Sequence, residues 1–275
     1  MITDAHTHLL PVRMATAVRE FFKTHIPGPL AYPIDHRQVL DMLHGDGIAT
    51  VWNLPYAHKP GVAATLNDTF AAISAALADH PVRVITGCTV HPGDPDPAQD
   101  LRHAAQGRGA QVCKLHCSVG EYQPDDPRLD PVWDQAGELG IPVTVHAGHG
   151  ASGHTQAVEL DPLDVVAKRH PYTTIIIAHF GHHGHERAVE LMDRHPNVWA
   201  DLTPVVFDHV PLTATLATRL SDRLLFGSDA PNTGHPASRM LDYLRGLRLS
   251  PAVFEQITIH NATRLLTNGS GTVGS

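Results

Sequence analysis

A chain of 275 residues, 42% of them hydrophobic, can bury a large core, and a single α/β barrel is an ordinary outcome at this length. A net charge of -8 without any dense Lys/Arg run argues against a nucleic-acid or anionic-membrane partner. Three cysteines without a Cys-x-x-Cys pair, no secretory leader and no apolar run of membrane-spanning length point to a reduced, cytoplasmic protein.

The chain opens on Thr3-Asp4-Ala5-His6-Thr7-His8-Leu9, which ends a short apolar run with two histidines two residues apart. Alternate side chains of a strand share a face, so both imidazoles can reach one ligand, and imidazole is a common donor to zinc-like cations. With 22 histidines in the chain, such a pair also arises by coincidence, so it needs partners from later strands. Apolar, β-branched runs recur at 2–6, 48–54, 82–89, 111–116, 141–146, 173–179, 197–203 and 223–228. Eight such runs alternating with helical segments fit a (β/α)8 barrel. A doubly wound open sheet is the alternative, but no Gly-x-Gly-x-x-Gly fingerprint follows the first run.

Helices are predicted at 11–24 and 35–45, making the first connection longer than one crossover, then at 62–79, 98–106 and 128–139. Further helices are expected at 162–169, 184–194, 212–220, 237–247, 250–257 and 261–267, the last with Asn261 as its N-cap. Residues 268–275 are Gly/Ser-rich and read as a flexible tail, leaving one barrel domain over 1–267. Cys113 and Cys117 share a strand parity with Leu115, opposite to Lys114 and His116, and read as small core hydrophobes under the helices.

In such a barrel, functional side chains come from the C-terminal ends of the strands. That filter retains His6 and His8 on the first run, Lys114 and His116 on the fourth, His146 on the fifth, His179 on the sixth and Asp229 on the eighth. Each ends an otherwise apolar run, where an isolated ion is costly, and convergence on a cation explains the set. For any one of them alone, a hydrogen-bonded core histidine or an ion-paired aspartate is the simpler explanation.

Taken together, Asp-x-His-x-His on the first strand, His146, His179 and Ser228-Asp229-Ala230-Pro231 resemble the amidohydrolase superfamily of metal-dependent barrel hydrolases. Lys114-Leu115-His116, Pro124-Asp125-Asp126-Pro127-Arg128-Leu129 and Gly140-Ile141-Pro142-Val143 are similar to its amidohydrolase-2 branch, which includes aminocarboxymuconate-semialdehyde decarboxylase. The resemblance spans residues 1 to about 267. It implies that His6, His8, His146 and Asp229 are metal ligands, with His179 a further ligand or a base. Lys114 stands where binuclear members carry a carboxylated, bridging lysine, so one or two ions are implied; the branch often has Pro where this chain has Cys117. Zinc is the first expectation, with Mn, Fe, Co or Ni also compatible with the ligands.

The implied activity is hydrolysis of a C–N or C–O bond in a small amide, cyclic amide, lactone or ester by a metal-activated water, with Asp229 and His179 as the catalytic pair. A non-oxidative decarboxylase of an aromatic or enol carboxylate is the rival; the absence of arginine at the predicted strand ends favours hydrolysis. A non-catalytic metal-binding barrel is the third reading. His116, His149, His182 and His235 are candidate substrate-binding residues beside the alternative of solvated loop histidines, a class that also takes in His58, His91, His154, His183 and His185. The glycine-rich stretch 147–153 is a candidate mobile rim, and Pro204-Val205-Val206-Phe207 a candidate apolar lip. His25, His80, His170 and His195 fall at helix C-terminal ends, where a structural role suffices. The partners implied are a small-molecule substrate and further copies of the chain.

Overall fold

In the computed structural model, which describes residues 1–25, 28–146, 156–203 and 212–268, eight strands lie side by side in chain order. They are β1 (Ile2–Thr7), β2 (Ile48–Asn53), β3 (Arg83–Cys88), β4 (Val112–Leu115), β5 (Val143–Val145), β6 (Ile175–Ile177), β7 (Val198–Leu202) and β8 (Leu224–Phe226). All seven neighbouring pairs are parallel. The ring closes at the last residue of β1 and just past the end of β8, through a parallel bridge between Thr7 and Ala230. There the Asp229 N–H donates to the His6 carbonyl at 2.8 Å and the His8 N–H to the Ala230 carbonyl at 2.7 Å. The backbone bonds that close the barrel therefore join the two segments carrying His6, His8 and Asp229.

Each predicted run coincides with one strand, β1 extending one residue beyond its run, because a strand covered by helices on one side and by the barrel interior on the other must be apolar on both faces. Ile175, Ile176 and Ile177 are all fully buried. Between β1 and β2 lie α1 (Val12–His25) and α2 (His36–Gly45), the expected long connection. Asp35 caps α2 by accepting from the Gln38 N–H, and Asp96 caps α4 (Pro97–Arg108) through Gln99, with α3 (Ala63–Ala76) between them. The chain continues through α5 (Cys117–Gly120), α6 (Asp130–Leu139), α7 (Gln156–Arg169), α8 (His185–Arg194), α9 (Ala214–Arg219) and α10 (Ala237–Gly246). No helix of the described residues is long and apolar enough to cross a membrane.

Two expectations change. α7 begins six residues earlier than predicted and carries Pro162 inside it rather than at its start. Asn261 is not an N-cap: α11 (Pro251–Glu255) runs through a π-helical turn, Gln256–His260, straight into α12 (Asn261–Asn268). With no helix start to cap, its amide instead donates to the Ser221 and Leu224 carbonyls, each at 2.7 Å, and ties the last helix to β8. The tail beyond Asn268 lies outside the described residues.

The barrel interior divides by height. Ala5, Trp52, Ile85, Val112, Ile176, Trp199 and Leu225, from seven of the strands, pack with Leu54, Ala262 and Leu265 into an apolar floor stoppered by α12. The opposite strand faces join the helices in a larger layer that includes Val51, Cys88, Cys113, Leu115, Val143 and Ile177. Cys113 and Leu115 thus lie under the helices as expected. Cys117 is buried there too, but from α5, since β4 ends at Leu115.

Candidate metal centre

The pairing of β1 with β2 slips between Asp4 and Thr7, the stretch that contains His6. Such an irregularity re-aims a side chain at a barrel rim. His6 Nδ1 sits 2.8 Å from Asp201 Oδ2, and His8 Nδ1 sits 2.7 Å from the Leu54 carbonyl. A carbonyl and a carboxylate only accept, so each imidazole carries its proton on Nδ1 and leaves a lone pair on Nε2. Burial, with the charge of Lys114 and the neighbouring His8 and His146, holds His6 well below the usual imidazole range and therefore neutral.

These two Nε2 atoms lie 3.2 Å apart, and Asp229 Oδ1 is 3.1 Å from that of His8 and 3.7 Å from that of His6. With both protons committed to Nδ1, the 3.2 Å contact is no hydrogen bond. Three lone-pair donors converge, one ligand atom from each lying within 4.8 Å of the others, and such a set is favourable around a cation. Lys114 Nζ stands 3.2 Å from His6 Nε2 and supplies one cationic neighbour. The lysine is fully buried, and burial lowers its pKa to about 8 against the opposing pull of Asp201 and Asp229.

The remaining strand-end histidines form a second group beside the first. His146 Nδ1 is 3.1 Å from His179 Nε2, and the His116 ring stacks on that of His146 at 3.8 Å and 13°. The His179 and His6 rings are 4.9 Å apart. Burial pushes His116, His146 and His179 well below the usual range, and their neighbours push them further: chiefly Lys114 for His116, His116 for His146 and His146 for His179. His179, Phe180, Gly181 and His182 all have positive φ, 58°, 48°, 72° and 48°, and so does Asp229 at 62°. Left-handed backbone at a non-glycine residue costs about 1–2 kcal/mol and persists where the surroundings hold it. A side chain on Gly181 would come within 2.9 Å of Ala188 Cβ, so glycine is the residue that fits there.

The groups that hold these side chains in place lie outside the set picked out by strand-end position. Asp201, on β7, takes His6 Nδ1 on one oxygen and the His179 N–H, at 3.0 Å, on the other. Burial raises its pKa to about 6, opposed by Lys114. Thr203 is hydrogen-bonded to His179 Nδ1. Asn53 Oδ1 accepts from the Leu9 N–H at 2.7 Å. Asp4 Oδ1 accepts from the His6 N–H at 3.1 Å and the Ser228 N–H at 3.0 Å, and burial raises its pKa to about 7. Gly227 leaves room for this arrangement, since a Cβ there would meet both His6 Cβ and Thr203 Cγ2 at 2.9 Å. For Asp201 the signal was present: one carboxylate in the buried run Val-Trp-Ala-Asp-Leu.

Of the loop candidates, His182 stacks on His183 at 4.2 Å and acts electrostatically on both His146 and His179. His235 Nδ1 is 2.6 Å from Arg239 on the following helix, and His149 lies outside the described residues, as do the glycine-rich stretch and the apolar lip. His91 is buried between the Gly120 carbonyl and the Gly93 N–H, a loop-bracing position. His80, His170 and His195 meet carboxylates of neighbouring segments, Asp41, Asp130 with Asp134, and Asp164, which accounts for them structurally.

Residues 3–267 match the family model described as Amidohydrolase. Among solved structures, the chain is similar to a TIM-barrel protein of Bordetella bronchiseptica described as uncharacterized, at 20% identity and TM-score 0.78, over 98% of this chain and 99% of that one. It is also similar to 5-carboxyvanillate decarboxylase of Novosphingobium aromaticivorans, solved with manganese and 4-hydroxy-3-methoxy-5-nitrobenzoic acid, at 15% identity and TM-score 0.68, over 96% and 94% of the two chains. A third is 4-oxalomesaconate hydratase of Rhodopseudomonas palustris, at 18% identity and TM-score 0.65, over 97% and 96%. No curated protein matches the sequence. At these identities the structural likeness is one of fold.

Proposed function

The chain belongs to the amidohydrolase family, and from that premise we propose that it is a metal-dependent hydrolase of small amides, cyclic amides, lactones or esters. The observation that carries the reading is the convergence of His6 Nε2, His8 Nε2 and Asp229 Oδ1, three acceptors at 3.1–3.7 Å with both imidazole protons tied up elsewhere. These three would hold a divalent cation. In the reading His146 would be a further ligand, Lys114 would join it as a carboxylated lysine where a second ion is present, and His179 would be either a ligand or a base. A zinc-class ion held there would lower the pKa of a bound water to about 7 and would polarise a carbonyl.

The chain's own residues then manage the protons. Asp229 takes a proton from the attacking water as its oxygen adds to the carbonyl carbon. It returns that proton to the departing nitrogen or oxygen as the C–N or C–O bond breaks. His179, fixed by Thr203 and by its backbone bond to Asp201, orients the water or stabilises the oxyanion. His116 and His182 flank the His146–His179 pair as substrate contacts; His149 and His235 hold the same proposed role on their loops. A soluble cytoplasmic enzyme of one barrel domain over 1–267 is the setting of this reading.

The Novosphingobium structure favours a second reading, a metal-dependent non-oxidative decarboxylase. A panel of lactones, cyclic amides, esters and aromatic carboxylates, tested on the zinc- and manganese-loaded protein, separates the two. The hydrolase reading expects Asp229→Asn to retain some metal while losing about 100-fold or more of turnover. Full activity in that variant removes Asp229 from the chemistry, and carbon dioxide release without hydrolysis replaces this reading by the second.

A further inference from the structure

Tyr56 leaves β2 two residues after Leu54, whose carbonyl fixes His8. Its ring meets the His8 ring edge to face, 5.6 Å between centroids at 86°, and lies 5.2 Å from the His116 ring, tilted by 56°. One aromatic ring therefore touches both the β1 arm of the cluster and the His116–His146 stack. Leu10, Ala15 and Phe70, with the partly buried Met14 and Leu66, form an apolar cluster against which Tyr56 packs. A ring held on several sides has little rotamer freedom left to lose when it binds a ligand. Its hydroxyl is different: it makes no hydrogen bond among the described residues. A phenol is protonated at neutral pH, so the group acts as a donor, not as a base.

We propose that Tyr56 is a catalytic residue, donating its phenolic hydrogen bond to an anionic substrate oxygen bound against the His6–His8–Asp229 group. The oxygen belongs either to a carboxylate or to the oxyanion formed when water adds to a carbonyl. This inference rests on the functional reading above for its substrate, and on the ring contacts for its geometry. It assigns to the β2 loop the anion recognition that no strand-end arginine provides. A fixed, neutral donor close to the reacting centre is also the kind of group whose removal lowers turnover more than it lowers affinity.

The alternative is that Tyr56 is only a packing residue, and Tyr56→Phe separates the two because it keeps the ring and removes the hydroxyl. The probe is benzoate, titrated calorimetrically into zinc-loaded wild type and variant, beside zinc content, thermal melting and the kcat and KM of any reaction found on the panel. The expected result is unchanged zinc content and melting, benzoate binding weaker by about tenfold or more, and kcat lower by about 100-fold with a smaller change in KM. Equal benzoate affinity and equal kcat in the two proteins overturn the proposal, as does wild type that binds no benzoate. Loss of zinc from Tyr56→Phe also overturns it, since the residue then serves the ligands and not the substrate. Weaker benzoate binding without turnover on any hydrolysable substrate leaves the donor standing as a carboxylate anchor and removes the hydrolase reading instead.

Discussion

The floor of the barrel and its rim are carried by the same eight strands, yet they bury opposite kinds of side chain. Below, Trp52, Ile85, Val112, Ile176, Trp199 and Leu225 fill the interior without a charge. Only a few residues further along, Lys114, Asp201, His6 and His179 are just as inaccessible and nearly all ionisable. The floor repays the chain entropy of folding through apolar burial. The rim cannot, because each of its groups would be better solvated in water; it persists through paired hydrogen bonds, such as Asp201 holding both His6 and His179. One half of the interior stabilises and the other half is stabilised, and left-handed residues fall at His179 and Asp229 in the second half.

That division predicts separable effects. Trp52→Ala opens a cavity in the floor and is expected to cost about 3–5 kcal/mol, measured by denaturant unfolding, with zinc affinity per folded chain nearly unchanged. A large loss of affinity from that change would mean that the two halves are not independent. Asp201→Asn acts the other way. It loosens the orientation of His6 and is expected to weaken metal binding by about 10–100-fold in a chelator competition, while unfolding of the metal-free protein shifts little, because a costly buried carboxylate disappears with its bonds.

A further effect is on pH. His6, His116, His146 and His179 are held neutral in the fold and become protonated on unfolding below the ordinary imidazole range, so their contribution is present above about pH 6.5 and lost as the pH falls. Asp4 and Asp201, raised to about 7 and about 6, act oppositely: their folded forms keep protons that the unfolded chain has released, so they favour the fold at lower pH. Four groups against two leave a net uptake of protons on unfolding. Stability of the metal-free protein is therefore expected to rise with pH between about pH 4.5 and 6, the four histidines outweighing the two carboxylates. A flat or falling curve from urea unfolding over that interval would mean that the rim histidines are not buried and neutral.

The floor was the more legible half. Buried parallel strands write themselves as apolar runs, and all eight were readable from Ile2 to Phe226. In the rim, His6, His8 and Asp229 were readable because their spacing and strand-end positions are local features, and they converge in space. What was not readable depends on contacts across the barrel. The carboxylate of Asp201 stands out in its apolar run, but its partner His6, 195 residues away in sequence, does not follow from that run. Tyr56 matters through two ring contacts, and its neighbours Pro55 and Ala57 give no hint of it. The left-handed turn at His179 to His182 had only Gly181 as a local cue, and the placement of Asn261 followed from a helix running on where a start was expected.

The most direct test of the account is metal content per chain, by elemental analysis, on protein purified without chelator or affinity tag, with Lys114→Ala measured alongside. At least one divalent ion per chain is expected. A value near two that falls on losing Lys114 identifies a bridged pair, and a value near one that does not change identifies a single ion held by the histidines and Asp229. A chain that carries no ion and takes up none on titration with zinc or manganese would contradict the reading of His6, His8 and Asp229 as a metal site, and the proposed chemistry with it.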